Sequence, residues 1–237
     1  MLEQVRALTF DVFGTVVDWR GSVIREGEAL GRARGWDTDW ASFADDWRRD
    51  GYIRGMRRVR DGELPWMTVD ALHRRKLDSL LDERGLTGLD EDATAQFNRA
   101  WHRLDPWTDV PEGLARLRSR FVVSTLSNGN VALLIDLARH GGLTWDCVLS
   151  AEITGAFKPD PACYTRAAEL LGLAPEQVLM VAAHPADLRA AAAVGFRTAY
   201  LRRPLEWGPA GTTGKDAGTE FDLVEDSLVA IAKRLGC

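Results

Sequence analysis

From Phe121 to the C-terminus, short apolar runs alternate with stretches that read as helices, and this alternation leaves few folds open to the chain. Phe121 to Leu126, Cys147-Val148-Leu149-Ser150, Val178 to Ala183, Arg197 to Leu201 and Phe221 to Val224 have the length and the apolar or β-branched content of strands. Val131 to Arg139, Pro161 to Leu171, Leu188 to Val194 and Ser227 to Leu235 lie between or after them and read as helices. Gly141-Gly142, Gly172 and Gly195 stand where three of these helices should stop, because glycine accepts the left-handed backbone that closes a helix. Such strand–helix repeats build parallel βαβ units, and the fold class is α/β. One more run, Ala7-Leu8-Thr9-Phe10, precedes them all and reads as a buried strand.

The region from about Gly21 to Asp105 differs, with almost no strand signal. Trp40, Phe43, Trp47 and Met56 fall at helix-compatible spacings. Leu72, Leu77, Leu80 and Leu81 form a second set, with Thr68 as an N-cap and Gly85 as a stop. Phe97, Trp101 and Leu104 mark a third helix. With 46% hydrophobic and 27% charged residues, the composition is that of an ordinary globular protein. A net charge of −5 argues against a nucleic-acid partner but leaves an anionic small molecule open, since local Arg and Lys decide that. Cys147, Cys163 and Cys237 lack metal-type spacing and suit free thiols in a reducing cytoplasm. Met1 to Arg6 carries no apolar signal core, and no apolar run approaches the ~18 residues of a membrane-spanning helix.

In a parallel sheet the ligand sits at the carboxyl ends of the strands. Asp11, Ser127, Lys158 and Asp187 all lie at or after such ends, so one cleft can collect them. Asp11-Val12-Phe13-Gly14-Thr15 carries the most chemistry: a carboxylate closing a buried strand before a Gly-Thr turn is a candidate nucleophile. Two places on stands Phe13, not a second acid. A phosphoester leaving group departs as an alkoxide and benefits from a nearby acid, whereas a halide is already a stable anion. Phe13 therefore suits carbon–halogen cleavage better than phosphate ester hydrolysis.

This stretch resembles the first motif of the haloacid dehalogenase superfamily. Ser124 to Asn130, Lys158-Pro159-Asp160-Pro161 and Val181 to Asp187 resemble the other three motifs in the right order. Phe13, Leu126-Ser127-Asn128-Gly129 and Lys158-Pro159-Asp160 look most like the L-2-haloacid dehalogenase branch. The resemblance implies a Rossmann-like parallel sheet core flanked by helices, with an inserted all-helical cap domain. Residues 1–20 and 106–237 would form the core and 21–105 the cap. It implies hydrolysis of short 2-haloalkanoic acids through an aspartyl ester on Asp11, with inversion at C2 and no cofactor. Thr15 would hold the Asp11 rotamer, Lys158 would neutralise Asp11 and Asp187, and Asp187 would activate or orient water. Val12 and Phe13 would form an apolar wall. Ser127 would bind the substrate carboxylate, Asn128 would contact the halide or carboxylate, Tyr164 would hydrogen-bond in the site, and Arg48 would receive the halide. Dimers are common in the family.

His184 departs from the family pattern, which has Ser-Asn-type residues where this chain reads Ala182-Ala183-His184. An imidazole there has two uses open to it, a base for the water attack or a wall of the halide pocket. Pro204 to Pro209 opens a Pro/Gly-rich loop reaching to Gly218, to which the resemblance assigns no role. Bland readings stand beside these: strand-end Asp, Ser and Asn residues cap turns, and Tyr164 fits an ordinary half-buried helix position. The alternative function is a Mg²⁺-dependent phosphatase of the same superfamily. A binding protein that kept the fold without catalysis is a third reading, against which Asp11, Thr15, Lys158 and Asp187 together argue.

Overall fold

The computed structural model describes residues 2–209, 211 and 220–237. Its centre is strand β1 (Ala7–Phe10), buried along its whole length. A strand covered on both faces has no solvent side, so it is written as an unbroken apolar run rather than an alternation. Next come the two-residue strands β2 (Val17–Asp18) and β3 (Asp105–Pro106), then β4 (Val122–Ser127), β5 (Cys147–Ser150), β6 (Val178–Ala182), β7 (Arg197–Leu201) and β8 (Leu223–Glu225). Six of these form one parallel sheet in the order β5-β4-β1-β6-β7-β8. Phe10 stands opposite Thr125 on one side and Val181 on the other, so the carboxyl ends of β4 and β6 flank that of β1.

The helices of this half end where glycine allows. Val131–Gly141 and Pro161–Leu171 close on Gly142 and Gly172, both left-handed. The helix expected from Leu188 begins earlier, as Pro185–Ala193. Proline's fixed φ and missing N–H suit the first helical turn, which draws Asp187 into that turn.

Between β2 and β3 the chain is helical. It runs through Trp19–Arg34, Trp40–Asp46, a π-helical stretch Trp47–Ile53, Arg54–Arg60, Val69–Glu83, Glu91–Asn98 and a 3₁₀ turn Arg99–His102. β2 and β3 pair antiparallel, Val17 with Pro106 and Asp18 with Asp105, so the chain leaves and re-enters the sheet domain side by side. Thr68 caps the helix Val69–Glu83 by accepting from the Ala71 N–H. The first of these helices, Trp19–Arg34, has no clear apolar stripe and is missing from the sequence reading. Three glycines interrupt it, and two have a packing reason: a Cβ on Gly27 would lie 2.3 Å from the Trp40 ring, and one on Gly31 would lie 2.9 Å from the Trp40 indole nitrogen. Trp19, Phe43, Trp47, Phe97 and Trp101 form the aromatic centre of the insertion. That centre reaches the sheet through Phe13, whose ring lies 5.2 Å from Tyr52 and 6.1 Å from Trp101.

Positions 210 and 212–218 of the Pro/Gly-rich loop lie outside the described residues. Among the described residues no helix is long and apolar enough to cross a membrane.

Candidate active site

Asp11 continues β1, and its N–H donates to the Val181 carbonyl at 3.0 Å, so its carboxylate is fixed where the three central strands end. The turn that follows bends through Gly14 at φ +86°, a left-handed value that favours glycine. It returns Thr15 to Asp11, and the Thr15 hydroxyl donates to Asp11 Oδ2 at 2.8 Å while accepting from the Ala183 N–H at 2.9 Å. One hydroxyl thus ties the first motif to the end of β6.

Lys158 Nζ lies between two carboxylates, 3.0 Å from Asp11 Oδ1 and 2.5 Å from Asp187 Oδ2. Asn128 holds its backbone from both sides, accepting from the Lys158 N–H at 2.7 Å and donating to its carbonyl at 3.3 Å. The Lys158–Pro159 bond is cis. Tyr164, fully buried, donates its hydroxyl to Asp187 Oδ1 at 2.5 Å. Ser127 is buried at the end of β4, and its Oγ accepts from the Gly129 N–H at 3.1 Å. Gly129 makes room for Phe13, since a Cβ there would lie 3.0 Å from that ring. Val12 and Phe13 are both buried.

His184 bridges Asp11 to Glu206, a residue of the Pro/Gly-rich loop to which the sequence assigns no role. Its Nδ1 lies 2.9 Å from Asp11 Oδ2, and its Nε2 lies 2.9 Å from Glu206 Oε1. Glu206 is wholly buried and also accepts from the Trp19 indole N–H at 3.3 Å. A glutamate in a Pro/Gly-rich loop reads as solvent-facing, which is why it escapes notice. The available signal is its position, a few residues beyond the carboxyl end of β7, on the same edge of the sheet as the others.

These contacts set the protonation states. Burial works against the Asp11 charge, but Lys158 and His184 outweigh it and hold Asp11 well below the usual carboxylate range. Asp187 moves the other way, raised by burial and by the Asp11 charge despite Lys158. Lys158 stays charged: its two carboxylates outweigh burial and raise its pKa. Burial opposes the imidazolium of His184 too, but Glu206 and Asp11 overcome it and raise His184 to about 10. An ionised Asp11 thus sits beside a carboxylate with a raised affinity for a proton, a separation of roles that acid–base chemistry uses.

Arg48 comes from the π-helical stretch and is 4% exposed. Its guanidinium lies 3.9 Å from the Tyr52 ring centre and 5.4 Å from those of Phe13 and Trp19. Arg48 Nε and Nη1 have no hydrogen-bond partner among the described residues. A buried guanidinium with open N–H groups is prepared for an anion. Burial pushes the neighbouring Tyr52 hydroxyl up to about 12, so it stays protonated. At the seam of the insertion and the sheet a cavity of about 450 Å³ has Arg49, Arg54, Arg57, Phe157 and Lys158 in its wall.

A Mg²⁺ ion, as in the phosphatase alternative, would need oxygens of Asp11 and Asp187. All four already face donors: Lys158 on Asp11 Oδ1, Thr15 and His184 on Asp11 Oδ2, Tyr164 on Asp187 Oδ1 and Lys158 on Asp187 Oδ2. The donor set does not fit the ion. Among the described residues no group of three or more His, Cys, Asp or Glu side chains is arranged to hold a metal.

Comparison with known proteins agrees with this geometry. The family of haloacid dehalogenase-like hydrolases matches residues 5–195. The L-2-haloacid dehalogenase PA0810 superposes with a TM-score of 0.93 at 43% identity, covering 98% of both chains. The defluorinating L-2-haloacid dehalogenase Rha0230 gives 0.92 at 38% identity, covering 98% of this chain and 96% of its own. The L-2-haloacid dehalogenase of Xanthobacter autotrophicus with chloropropionic acid covalently bound gives 0.79 at 25% identity over 97% of each chain. The chain belongs to the haloacid dehalogenase-like hydrolases, in their L-2-haloacid dehalogenase branch.

Proposed function

We propose that this protein hydrolyses short L-2-haloalkanoates, haloacetates included, to 2-hydroxy acids with inversion at C2, through an ester on Asp11. The observation that carries this reading is the unequal bonding of the two Asp11 oxygens. Among the described residues Oδ2 is held by Thr15 and His184, whereas Oδ1 meets Lys158 alone. Oδ1 is the freer oxygen and the one that attacks C2, in line with the departing halide. Arg48 offers its open N–H groups to that halide, and Val12 and Phe13 face the alkyl part of the substrate. Lys158 keeps Asp11 ionised, Asp187 takes the proton of the hydrolytic water, and Tyr164 orients Asp187. Asn128 acts by fixing the Lys158 backbone, and Ser127 lies at the strand end that faces the substrate carboxylate. In this account residues 21–105 act as the cap that closes over a core of 1–20 and 106–237, and water is excluded from the first step. The free thiols Cys147, Cys163 and Cys237 suit a reducing cytoplasm.

The test is halide release from the two enantiomers of 2-chloropropionate with EDTA present. Release from the L form with D-lactate as product is the expected result. Release that stops on adding EDTA, or turnover of phosphate esters without any halide release, would favour the phosphatase alternative.

A further inference from the structure

We infer that Glu206 is a positioning residue for the second half of this reaction: it holds His184 as a cationic donor to Asp11 Oδ2, so that His184 and Thr15 form the oxyanion site for hydrolysis of the ester. The inference rests on the proposed ester at Asp11, and three observations carry it. Glu206 is a fully buried carboxylate whose Oε1 meets His184 and Trp19, while Oε2 has no partner among the described residues. A buried, half-satisfied carboxylate is costly unless it is paired, so a loop gains no stability by placing one there. The motif itself is shaped around it, since a Cβ on Gly14 would lie 2.2 Å from Glu206 Oε1. The imidazole completes the chain with 2.9 Å contacts on both sides.

The bonds follow from this arrangement. Asp11 Oδ1 attacks C2, and the carbon–halogen bond breaks with its electron pair leaving on the halide. Water then attacks Asp11 Cγ and gives one proton to Asp187. The Cγ–Oδ2 π pair moves onto Oδ2, where the Thr15 hydroxyl and the His184 Nδ1–H already point. On collapse the Cγ–Oδ1 bond breaks, and the 2-hydroxy acid departs with the proton from Asp187. The other water proton is released from Asp11 as its carboxylate reforms.

Esterification removes the Asp11 charge. Among the described residues, Asp11 and Glu206 are the two carboxyl side chains touching the His184 ring, and Lys158 lies on the far oxygen of Asp11. Once the ester forms, Glu206 is the carboxyl group still bonded to the imidazole, in the very step where negative charge develops on Oδ2. A donor aimed at developing charge accounts for about 10²–10³ in rate.

The experiment is rapid-quench halide release, with intact-protein mass measurement, on wild type, Glu206→Gln and His184→Leu, the last chosen because leucine has no hydrogen-bond donor. In both variants the expected result is a halide burst of one equivalent per active site, then turnover slowed by about 10²-fold, with the substrate adduct accumulating on the protein. In Glu206→Gln the alkaline fall of ester hydrolysis also moves to lower pH than in wild type. Equal slowing of both halves, no adduct and an unmoved pH profile would overturn the inference and leave Glu206 a packing residue. Should Glu206→Gln not fold, His184→Leu decides: adduct accumulation supports the inference and its absence overturns it. A wild type that releases no halide would instead overturn the dehalogenase reading itself.

Discussion

The chemistry of single residues turns on how each carboxylate oxygen is bonded. Replacing Asp11 with Asn keeps the shape but removes the nucleophile. Turnover should fall by on the order of 10⁴-fold or more with Tm little changed, as halide release and circular dichroism would show. Tyr164→Phe removes the hydroxyl on Asp187 Oδ1. A hydrogen bond to a charged group is worth about 1.5–3 kcal/mol, so kcat should fall by about tenfold to a hundredfold with KM nearly unchanged. Equal loss in KM would place Tyr164 at the substrate instead. Asp11, Lys158 and Asp187 stand out in the sequence at strand ends, Thr15 and Tyr164 through the family resemblance and His184 as a departure from it, and the structure brings the six together. Their partners are less so. Asn128 reads as a substrate contact, yet its amide clamps the Lys158 peptide, a pairing across 30 positions that no local pattern encodes. Glu206 is hidden because loop composition says nothing of burial.

At the scale of elements, the strands and the glycine-closed helices of the sheet half follow from local rules: apolar runs for buried strands and left-handed glycines for helix ends. The helix Trp19–Arg34 follows from packing instead. Gly27 and Gly31 weaken its intrinsic helical preference so that the Trp40 ring can lie against its backbone. On an exposed helix Gly→Ala stabilises by roughly 0.5–1 kcal/mol. Gly27→Ala should do the opposite here, because its Cβ would meet the ring at 2.3 Å, and overpacking costs about 1–3 kcal/mol. A thermal melt checks the sign: Tm should fall, and a rise would show that Trp40 moves aside freely. The π-helical stretch Trp47–Ile53 likewise escapes the sequence reading, which sees only helical spacing. It buries Trp47, Arg48, Gly51 and Tyr52, and so carries a cation into an aromatic centre.

Across the whole molecule, the insertion and the sheet half meet at a charged clasp as well as through Phe13. His102 Nε2 lies 3.0 Å from Asp70 on the helix Val69–Glu83, and its Nδ1 lies 2.8 Å from Asp136 on the helix Val131–Gly141. Asn130 donates to Asp70 at 2.8 Å, and Arg99 shares Asp136. Burial opposes the His102 charge, but the bonds to Asp70 and Asp136 outweigh it, and the pKa is raised above the ordinary 6.5. A group raised in the folded state adds stability that is fully present below its unfolded pKa and fades as pH rises through its folded one. Wild type should therefore lose thermal stability as pH climbs past that folded value, and His102→Gln should lose less over the same interval. Parallel curves for the two proteins would remove the clasp from the account. The central claim is the ester on Asp11, and one turnover in ¹⁸O-water with enzyme in excess over L-2-chloropropionate tests it most directly. The account predicts ¹⁸O in the Asp11 carboxylate and none in the first lactate released. Label in that first lactate, with Asp11 unlabelled, would mean that water attacks C2 directly and would contradict it.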